Sequence, residues 1–301
     1  MQLQPHKNHL PLAMQDTHHI KEFTYHIGWR SRSHRPGRHK SNQRGMGMEF
    51  RGHTTLLSYP DPRRIDIRQT IRDPMEQIHV RIFNQKSVTP VFVLCDMSGS
   101  MQYGSAQKKI EIAADIAQSV AQSATRNRDL VGFIGFDDVV REDWLCTLSA
   151  RPHTAIEMAN HLRTYLPAEV GSRGVLDCIR LLPRERSLIF MVSDFHMPMA
   201  DLEESLILMQ RHHIVPIVLW DSAEYIDLPE FGITSVTDPE TGAKRTLFLR
   251  KKFRNRILQA FSDRRKLIAD LFLRYDMQPF YVENYFDADQ LSEYFHQYVA
   301  A

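Results

Sequence analysis

The sequence is poor in cysteine. Its 301 residues include only Cys95, Cys146 and Cys178, which are far apart and form no CxxC pair. Such an odd, sparse set argues against a disulfide framework and is typical of a reducing compartment. Cys95 and Cys178 lie in apolar or helical runs, so we expect them to be buried thiols without a chemical role.

Long apolar runs are also missing. The opening MQLQPHKNHLPLAMQDTHH lacks the charged start and apolar core of a signal peptide. No stretch approaches the roughly 18 to 20 apolar residues of a membrane span. There is no Gly-rich phosphate loop and no HExxH motif. We therefore expect a cytoplasmic protein without a membrane span.

An excess of charge of one sign is absent overall but present locally. Lys and Arg total 38 against 36 Asp and Glu. Between residues 30 and 48, however, every charged residue is basic: Arg30, Arg32, Arg35, Arg38, Lys40 and Arg44. A solvated loop is the plainest interpretation, and no aromatic residue lies among these charges to stack on bases, which disfavours nucleic acid. We hypothesise that Arg35, Arg38 and Lys40 contact an acidic partner surface.

The pattern along the chain predicts three regions. Residues 1–20 are polar and indicate a mobile tail. Residues 21–88 indicate a small β-rich module, with strands at KEFTYHIGW (21–29) and IHVRIF (78–83). Residues 89–301 indicate a larger domain.

In the larger domain, apolar strands alternate with amphipathic helices. This alternation predicts an α/β fold with a doubly wound, mostly parallel sheet flanked by helices. Strands are expected at 91–95, 130–136, 187–193, 214–220 and 278–282, with a hairpin at 233–249 that turns at 238–242. Helices are expected at 106–125, 153–165, 174–182, 201–212, 253–275 and 287–299.

Polar residues follow two of these strands directly. Asp96, Ser98 and Ser100 form a DxSxS motif after the first strand, and Asp194 follows a later one. Ligands of such sheets bind beyond the carboxyl ends of the strands, and Mg²⁺ prefers oxygen ligands. We predict that Asp96, Ser98 and Ser100 hold Mg²⁺ (or Mn²⁺ or Ca²⁺), that Asp194 acts through a water, and that a partner carboxylate completes the shell. A helix cap would explain one serine but not two.

The DxSxS motif with a later acid resembles the metal-ion-dependent adhesion site of von Willebrand factor A domains over roughly residues 89–301. The N-terminal region is similar to the MoxR-associated A-domain-like family, one branch of which accompanies methanol dehydrogenase maturation. This resemblance implies a MoxR-type AAA+ ATPase partner and a client metalloenzyme or complex. The segments that carry it are GRHKS (37–41), GMGMEF (45–50), RID (64–66) and VRIF (80–83).

Two departures from the family pattern leave alternatives open. The stretch YPDPRRIDI (59–67) lacks the usual acidic pair and tryptophan, and the loop that normally supplies a threonine reads EVGSRG (169–174). Ser172 could replace the threonine hydroxyl, or Arg173 could bring its own charge and weaken or replace the metal. The second alternative corresponds to a metal-independent scaffold with a degenerate site.

Enzyme interpretations are weaker. A haloacid dehalogenase-type phosphatase needs a second aspartate two residues after Asp96, where this chain has Ser98. A serine hydrolase needs GxSxG, but Asp96 stands where the first glycine should be; His196 lies near Asp194 without any implied geometry. The sequence therefore favours a non-enzymatic, metal-dependent adaptor.

Overall fold

The computed structural model describes residues 21–31, 33, 35–41, 44–167, 171–221, 232–237, 244–249 and 251–298. The predicted tail (1–20), the predicted hairpin turn (238–242), Arg32, and Glu169 with Val170 lie outside the described residues. Within the described part, no helix combines the length and apolar character needed to cross a membrane.

The centre of the fold is a six-stranded sheet in the order β11-β8-β7-β4-β5-β6. Every neighbouring pair is parallel except β5 with β6. The predicted doubly wound, mostly parallel sheet is thus confirmed. The switch point of this order lies between β4 and β7, where the chain changes the direction in which it adds strands. The six strands are β4 (Pro90–Asp96), β5 (Leu130–Phe136), β6 (Val140–Ser149), β7 (Leu188–Ser193), β8 (His213–Trp220) and β11 (Phe280–Glu283).

Helices cover both faces of this sheet. Alternate residues of β4 point to opposite faces, so Val91 and Val93 belong to one apolar cluster and Phe92 and Leu94 to the other. This double burial explains why the strands read as continuous apolar runs. The helices are α2 (Lys109–Asn127), α3 (Pro152–Thr164), α4 (Val175–Cys178), α5 (Met199–Leu208), α6 (Lys251–Arg274) and α7 (Ala288–Tyr298).

Two features of the sequence were interpreted incompletely or wrongly. The antiparallel edge strand β6 was missed, because its residues are largely half-buried or exposed and give no apolar run. The predicted strand at 21–29 is wrong. Phe23 and Tyr25 are buried at alternate positions, but the backbone pairs with side chains: Phe23 N–H donates to Ser123 Oγ at 2.9 Å. An alternating pattern therefore reports alternating burial, which does not require a ladder.

The N-terminal region contains a two-stranded antiparallel sheet of β2 and β3. The predicted strand at 78–83 corresponds to β3. The predicted hairpin of the C-terminal half is also present as two antiparallel strands, β9 and β10. The remaining elements are β1 (Pro36–His39), β2 (Arg44–Thr55), α1 (Ile67–Ile71), β3 (His79–Asn84), β9 (Gly232–Thr237) and β10 (Lys244–Leu249).

A buried polar cluster joins the N-terminal region to the large sheet. His39 Nε2 lies 2.6 Å from Asp129 Oδ2, and the Tyr25 hydroxyl donates to the same oxygen. The other oxygen, Oδ1, accepts from Thr89 N–H at 2.7 Å. Asp129 directly precedes β5, so residues 25 and 39 are tied to the edge where the parallel strands begin. The histidine of the GRHKS segment therefore has a structural role.

Candidate metal centre

The predicted site lies at the switch point of the sheet. Asp96 is the last residue of β4, and Asp194 follows β7 immediately. The two strands are paired in parallel, with Cys95 opposite Val192. Because parallel strands end at the same edge, both carboxylates reach the crevice where ligands of doubly wound sheets bind. Both are 1% exposed.

The Asp96 carboxylate is held by hydrogen bonds on both oxygens. Ser98 N–H donates to Oδ1 at 2.9 Å, and the Ser193 hydroxyl donates to Oδ2 at 2.6 Å. These bonds orient the carboxylate without supplying a positive charge. Burial, followed by the nearby Asp194 carboxylate, raises the pKa of Asp96 to about 7. The negative charge at Asp96 is therefore undercompensated in the metal-free chain.

Ser98 and Ser100 present their hydroxyls to each other. Their Oγ atoms are 3.1 Å apart, and both residues are 3% exposed. The backbone turns into a 3₁₀ helix at Gly99–Gln102, yet the Ser98 side chain makes no capping hydrogen bond to it. Helix capping thus does not account for this serine, and both hydroxyls face the same small region as Asp96.

The loop that carries Ser172 and Arg173 directs the two side chains differently. Ser172 is 3% exposed, and its Oγ is buried without a hydrogen-bond partner. Arg173 is 69% exposed at its side chain, with Nε 3.6 Å from Asp201 Oδ2. Gly171, at φ +97°, and Gly174 bring the loop against the end of β5, where Gly174 N–H donates to Asp137 O at 2.9 Å. An orphaned buried hydroxyl is costly and is a good candidate for an ion ligand.

The cation that does reach the site was missed in the sequence. Lys109, the first residue of α2, places its Nζ 2.9 Å from Asp194 Oδ2, and its side chain is 1% exposed. The available signal was its position on the helix. Lys109 falls in line with Ala113, Ile116 and Val120, which form part of the buried stripe of α2.

Asp194 is embedded in fixed contacts. Burial alone would raise its pKa, but the Lys109 ammonium, His196 and hydrogen bonds from Lys109 and Ser100 hold the pKa well below its usual range. Trp220 Nε1–H donates to its carbonyl oxygen at 3.0 Å. The next residue, Phe195, has φ +54°, an uncommon conformation for a bulky residue, and Arg264 donates to its carbonyl oxygen at 2.7 Å. The loop after β7 is therefore a rigid support for Asp194.

The donor set fits a hard cation. The Lys109 ammonium pairs with Asp194, whereas the Asp96 carboxylate accepts from uncharged donors, and the Ser172 hydroxyl has no partner. Within the described residues no group of three or more His, Cys, Asp and Glu side chains converges. An ion here would depend on hydroxyl and carboxylate oxygens, which Mg²⁺ accepts and softer metals do not favour.

The basic residues of the N-terminal loop lie at the opposite edge of the sheet. Val88 N–H donates to Arg35 O, and Ser31 N–H donates to Lys40 O at 2.9 Å, beside the start of β4. Arg35, Arg38 and Lys40 are exposed. A cleft of about 730 Å³ opens at this edge and has a basic rim. Its lining is Trp29, Arg30, Ser31, Arg184, Glu185, Arg186 and Arg211.

Comparison with protein families matches residues 60–267 to the model described as "Protein of unknown function DUF58". An uncharacterized protein in the moxR 3' region of Paracoccus denitrificans is 28% identical over 98 residues, which cover 33% of this chain and 93% of that protein. An uncharacterized protein of Mycobacterium tuberculosis is 25% identical over 216 residues, 69% of this chain and 66% of the relative. The chain thus spans slightly less than two thirds of the mycobacterial protein.

Solved structures with a related arrangement are more distant. BatB of Bacteroides thetaiotaomicron has 12% identity and a TM-score of 0.44, and the alignment covers 70% of this chain and 97% of BatB. The SpRpn10 VWA domain has 13% identity and a TM-score of 0.34, and the alignment covers 68% of this chain and 93% of that domain.

Proposed function

The chain belongs to the DUF58 family, and from that premise and the geometry of its switch-point site we propose that it is a non-enzymatic adaptor that grips an acidic side chain of a partner through a bound divalent cation. The observation that carries the proposal is a buried Asp96 carboxylate held by uncharged donors at the switch point, together with the buried hydroxyl of Ser172 that has no hydrogen-bond partner. Such a group of oxygens has more acceptor capacity and more negative charge than the chain itself satisfies.

The residues that would hold Mg²⁺ are Asp96, Ser98, Ser100 and Ser172, with Asp194 acting through a water. When bound, the ion would supply a positive centre for a carboxylate oxygen. The chain's own contribution is orientation: Ser193 and the Ser98 backbone fix the Asp96 carboxylate, and Lys109 fixes Asp194. Since serine hydroxyls are neutral ligands, they leave the positive charge of an ion available to a partner.

We further propose that a MoxR-type AAA+ ATPase is among the partners. The Paracoccus relative is described as lying in the moxR 3' region, which supports this association. The resemblance of the N-terminal segments to the MoxR-associated family supports it too. A client metalloenzyme or complex, with methanol dehydrogenase as one candidate, would be the second partner.

An adaptor needs two contact surfaces, and the chain offers two at opposite edges of its sheet. The ion site follows the end of β4, while the exposed Arg35, Arg38 and Lys40 lie beside its start. Seven residues of strand separate the two surfaces by about 20 Å. Two proteins could therefore be held at once, one through an acidic side chain at the ion site and one through an acidic surface at the basic edge.

The test is capture of identified partners. The tagged full-length chain would be mixed with native lysate in Mg²⁺ and in EDTA, beside Asp96→Ala and a control, Asp289→Ala, at an exposed position. We expect a AAA+ ATPase or a metalloenzyme, identified by mass spectrometry, to be retained in Mg²⁺ by the wild type and the control only. Retention of the same partner in EDTA and by Asp96→Ala would contradict the cation bridge and favour a metal-independent scaffold.

Enzyme activity is tested separately. The proposal expects no hydrolysis of an aryl phosphate and no labelling of Ser98 by a fluorophosphonate. Either activity, lost in Ser98→Ala, would overturn the non-enzymatic assignment.

A further inference from the structure

We infer that Lys109 makes the switch-point site bind its divalent cation and its partner's carboxylate as a pair, each weakly alone. The inference deepens the proposed function and rests on it. It concerns the partner chemistry that the site selects: an anionic oxygen donor presented by a protein side chain.

The starting point is the permanent burial of a cation. Lys109 is 1% exposed, and its Nζ lies 2.9 Å from Asp194 Oδ2. The side chain also lies near an aromatic ring, with Nζ 6.0 Å from the centroid of Tyr103. Its backbone is fixed as the first residue of α2, where Lys109 N–H donates to Tyr103 O at 2.9 Å. The ammonium is thus a buried part of the site.

The charges of the site follow directly. When both carboxylates are ionised, the form in which they can bind a cation, Asp96, Asp194 and Lys109 together carry one net negative charge before any ion is bound. A divalent cation alone would convert this to one positive charge, buried beside an ammonium. The further arrival of a carboxylate would bring the total to neutrality. In a region of low dielectric constant, the neutral combination is strongly favoured over either charged one.

Without the charge of Lys109, the net charge of the site favours binding of the ion by itself. Two carboxylates and a divalent cation are already neutral, so the ion would bind well by itself and an added carboxylate would bring an uncompensated charge. Lys109 therefore weakens binding of the ion by itself and strengthens binding of the ion together with a carboxylate. Because the two binding equilibria are linked, the carboxylate must raise the affinity of the site for the ion by the same factor by which the ion raises the affinity for the carboxylate.

The experiment measures Mg²⁺ binding by calorimetry with MgCl₂ as the titrant. The full-length wild type is compared with Lys109→Met and Lys109→Arg in sodium chloride and in sodium acetate of equal ionic strength, with acetate as the carboxylate probe. Lys109→Gln is a second neutral variant, and its amide can still donate to Asp194 if the methionine variant fails to fold.

We expect the neutral variants to bind Mg²⁺ more tightly than the wild type in chloride, by a factor of about ten or more. Acetate should strengthen Mg²⁺ binding to the wild type and to Lys109→Arg, and should leave the neutral variants unchanged or weaker. Equal Mg²⁺ affinity in the wild type and both neutral variants would overturn the inference while leaving the proposed function standing.

Two other outcomes separate the inference from the proposed function. If neither the wild type nor any variant binds Mg²⁺ in either medium, the cation bridge itself is wrong. If the neutral variants bind Mg²⁺ and the wild type binds none even in acetate, the pairing is wrong. Lys109 would then be the site's own permanent cation.

Discussion

Lys109 and Asp194 form an ion pair in the interior of the protein, with Nζ 2.9 Å from Oδ2 and each side chain 1% exposed. The two residues are 85 positions apart and come from α2 and the loop after β7. Their pairing links the helix that follows the DxSxS turn to the opposite side of the switch point. It places a positive charge inside the site, next to Asp194.

The pair predicts strong coupling in a double-mutant cycle. Lys109→Met should lower the free energy of unfolding in EDTA by about 3 to 5 kcal/mol, because it leaves the Asp194 carboxylate buried without its cation. Asp194→Asn should also lower the free energy of unfolding, because it leaves the Lys109 ammonium buried without its carboxylate. The double variant should be much less destabilised than the sum of the two. Chemical unfolding measures all four proteins, and additive losses would show that the two side chains do not interact.

The buried hydroxyl of Ser172 leads us to expect that its removal affects stability and ion binding in opposite ways. Ser172→Ala removes a buried hydroxyl that has no partner, so the free energy of unfolding in EDTA should stay equal or rise, by up to about 1 kcal/mol. The stabilisation that Mg²⁺ gives should shrink. Thermal unfolding with and without Mg²⁺ measures both effects.

Ser119→Ala is the matched control for Ser172→Ala. Ser119 is also buried, but its hydroxyl donates to Lys21 O at 2.7 Å. Its loss should cost about 1 kcal/mol and leave the Mg²⁺ effect intact. If Ser172→Ala is destabilised as much as Ser119→Ala and responds fully to Mg²⁺, Ser172 is not an ion ligand.

His39 should be essential for attaching the N-terminal region to the large sheet. His39→Ala removes the group 2.6 Å from the buried Asp129 Oδ2 and should cost about 2 to 4 kcal/mol. His53→Ala breaks a more exposed pair with Asp66 and should cost clearly less, because solvent screens that pair. Urea unfolding compares the two, and a similar cost for both would mean that Asp129 is satisfied by Tyr25 and Thr89 alone.

His212 and His213 should make the protein lose stability in mild acid. Burial first lowers the pKa of each to about 4, helped by the charges of Arg211 and Arg186 at His212 and by that of Arg186 at His213. An unfolded histidine titrates near 6.5, so the unfolded chain binds more protons than the folded one between these values. Stability should therefore be complete above about pH 6.5 and fall towards pH 4, by at most about 1.4 kcal/mol per pH unit for each histidine.

His212→Asn tests this pH dependence. The asparagine oxygen can replace Nδ1 as acceptor for Ser187 N–H, which lies at 3.2 Å, but it does not titrate. The slope of unfolding free energy against pH should decrease, whereas His161→Asn at an exposed position should leave it unchanged. An unchanged slope in His212→Asn would assign the acid sensitivity to other groups.

The basic edge predicts a partner contact that is independent of the ion site. Reversing Arg35, Arg38 and Lys40 to glutamate should abolish capture of one partner and leave Mg²⁺ binding unchanged, because these residues lie at the edge opposite Asp96. A control reversal at Arg180, Arg256 and Lys266, all exposed, changes the net charge equally. If both triple variants lose the partner alike, overall charge and not the basic edge is responsible. If neither triple variant loses the partner, the basic edge is exposed to solvent and does not bind that partner.

The sequence by itself determined the architecture and the two carboxylates of the site. Strands covered on both faces must be apolar at every position, so β4 and β7 are visible as continuous runs, and the acids that end them must meet at one edge of a parallel sheet. Asp96 and Asp194 could be placed on that argument alone. The edge strand β6 could not be placed in this way, because its residues are mostly half-buried or exposed and form no continuous apolar run.

Only the tertiary structure decided which charge faces the acids. Arg173 stood next to the ion-site loop in sequence, yet its side chain turns outwards to Asp201, and Lys109 from α2 reaches Asp194 instead. Likewise, Phe23 and Tyr25 suggested a strand but became part of the core of the large sheet. Periodicity reports which side of a segment is buried, because that depends on local geometry. The partner of a buried side chain depends on how distant segments pack, and no local pattern contains that information.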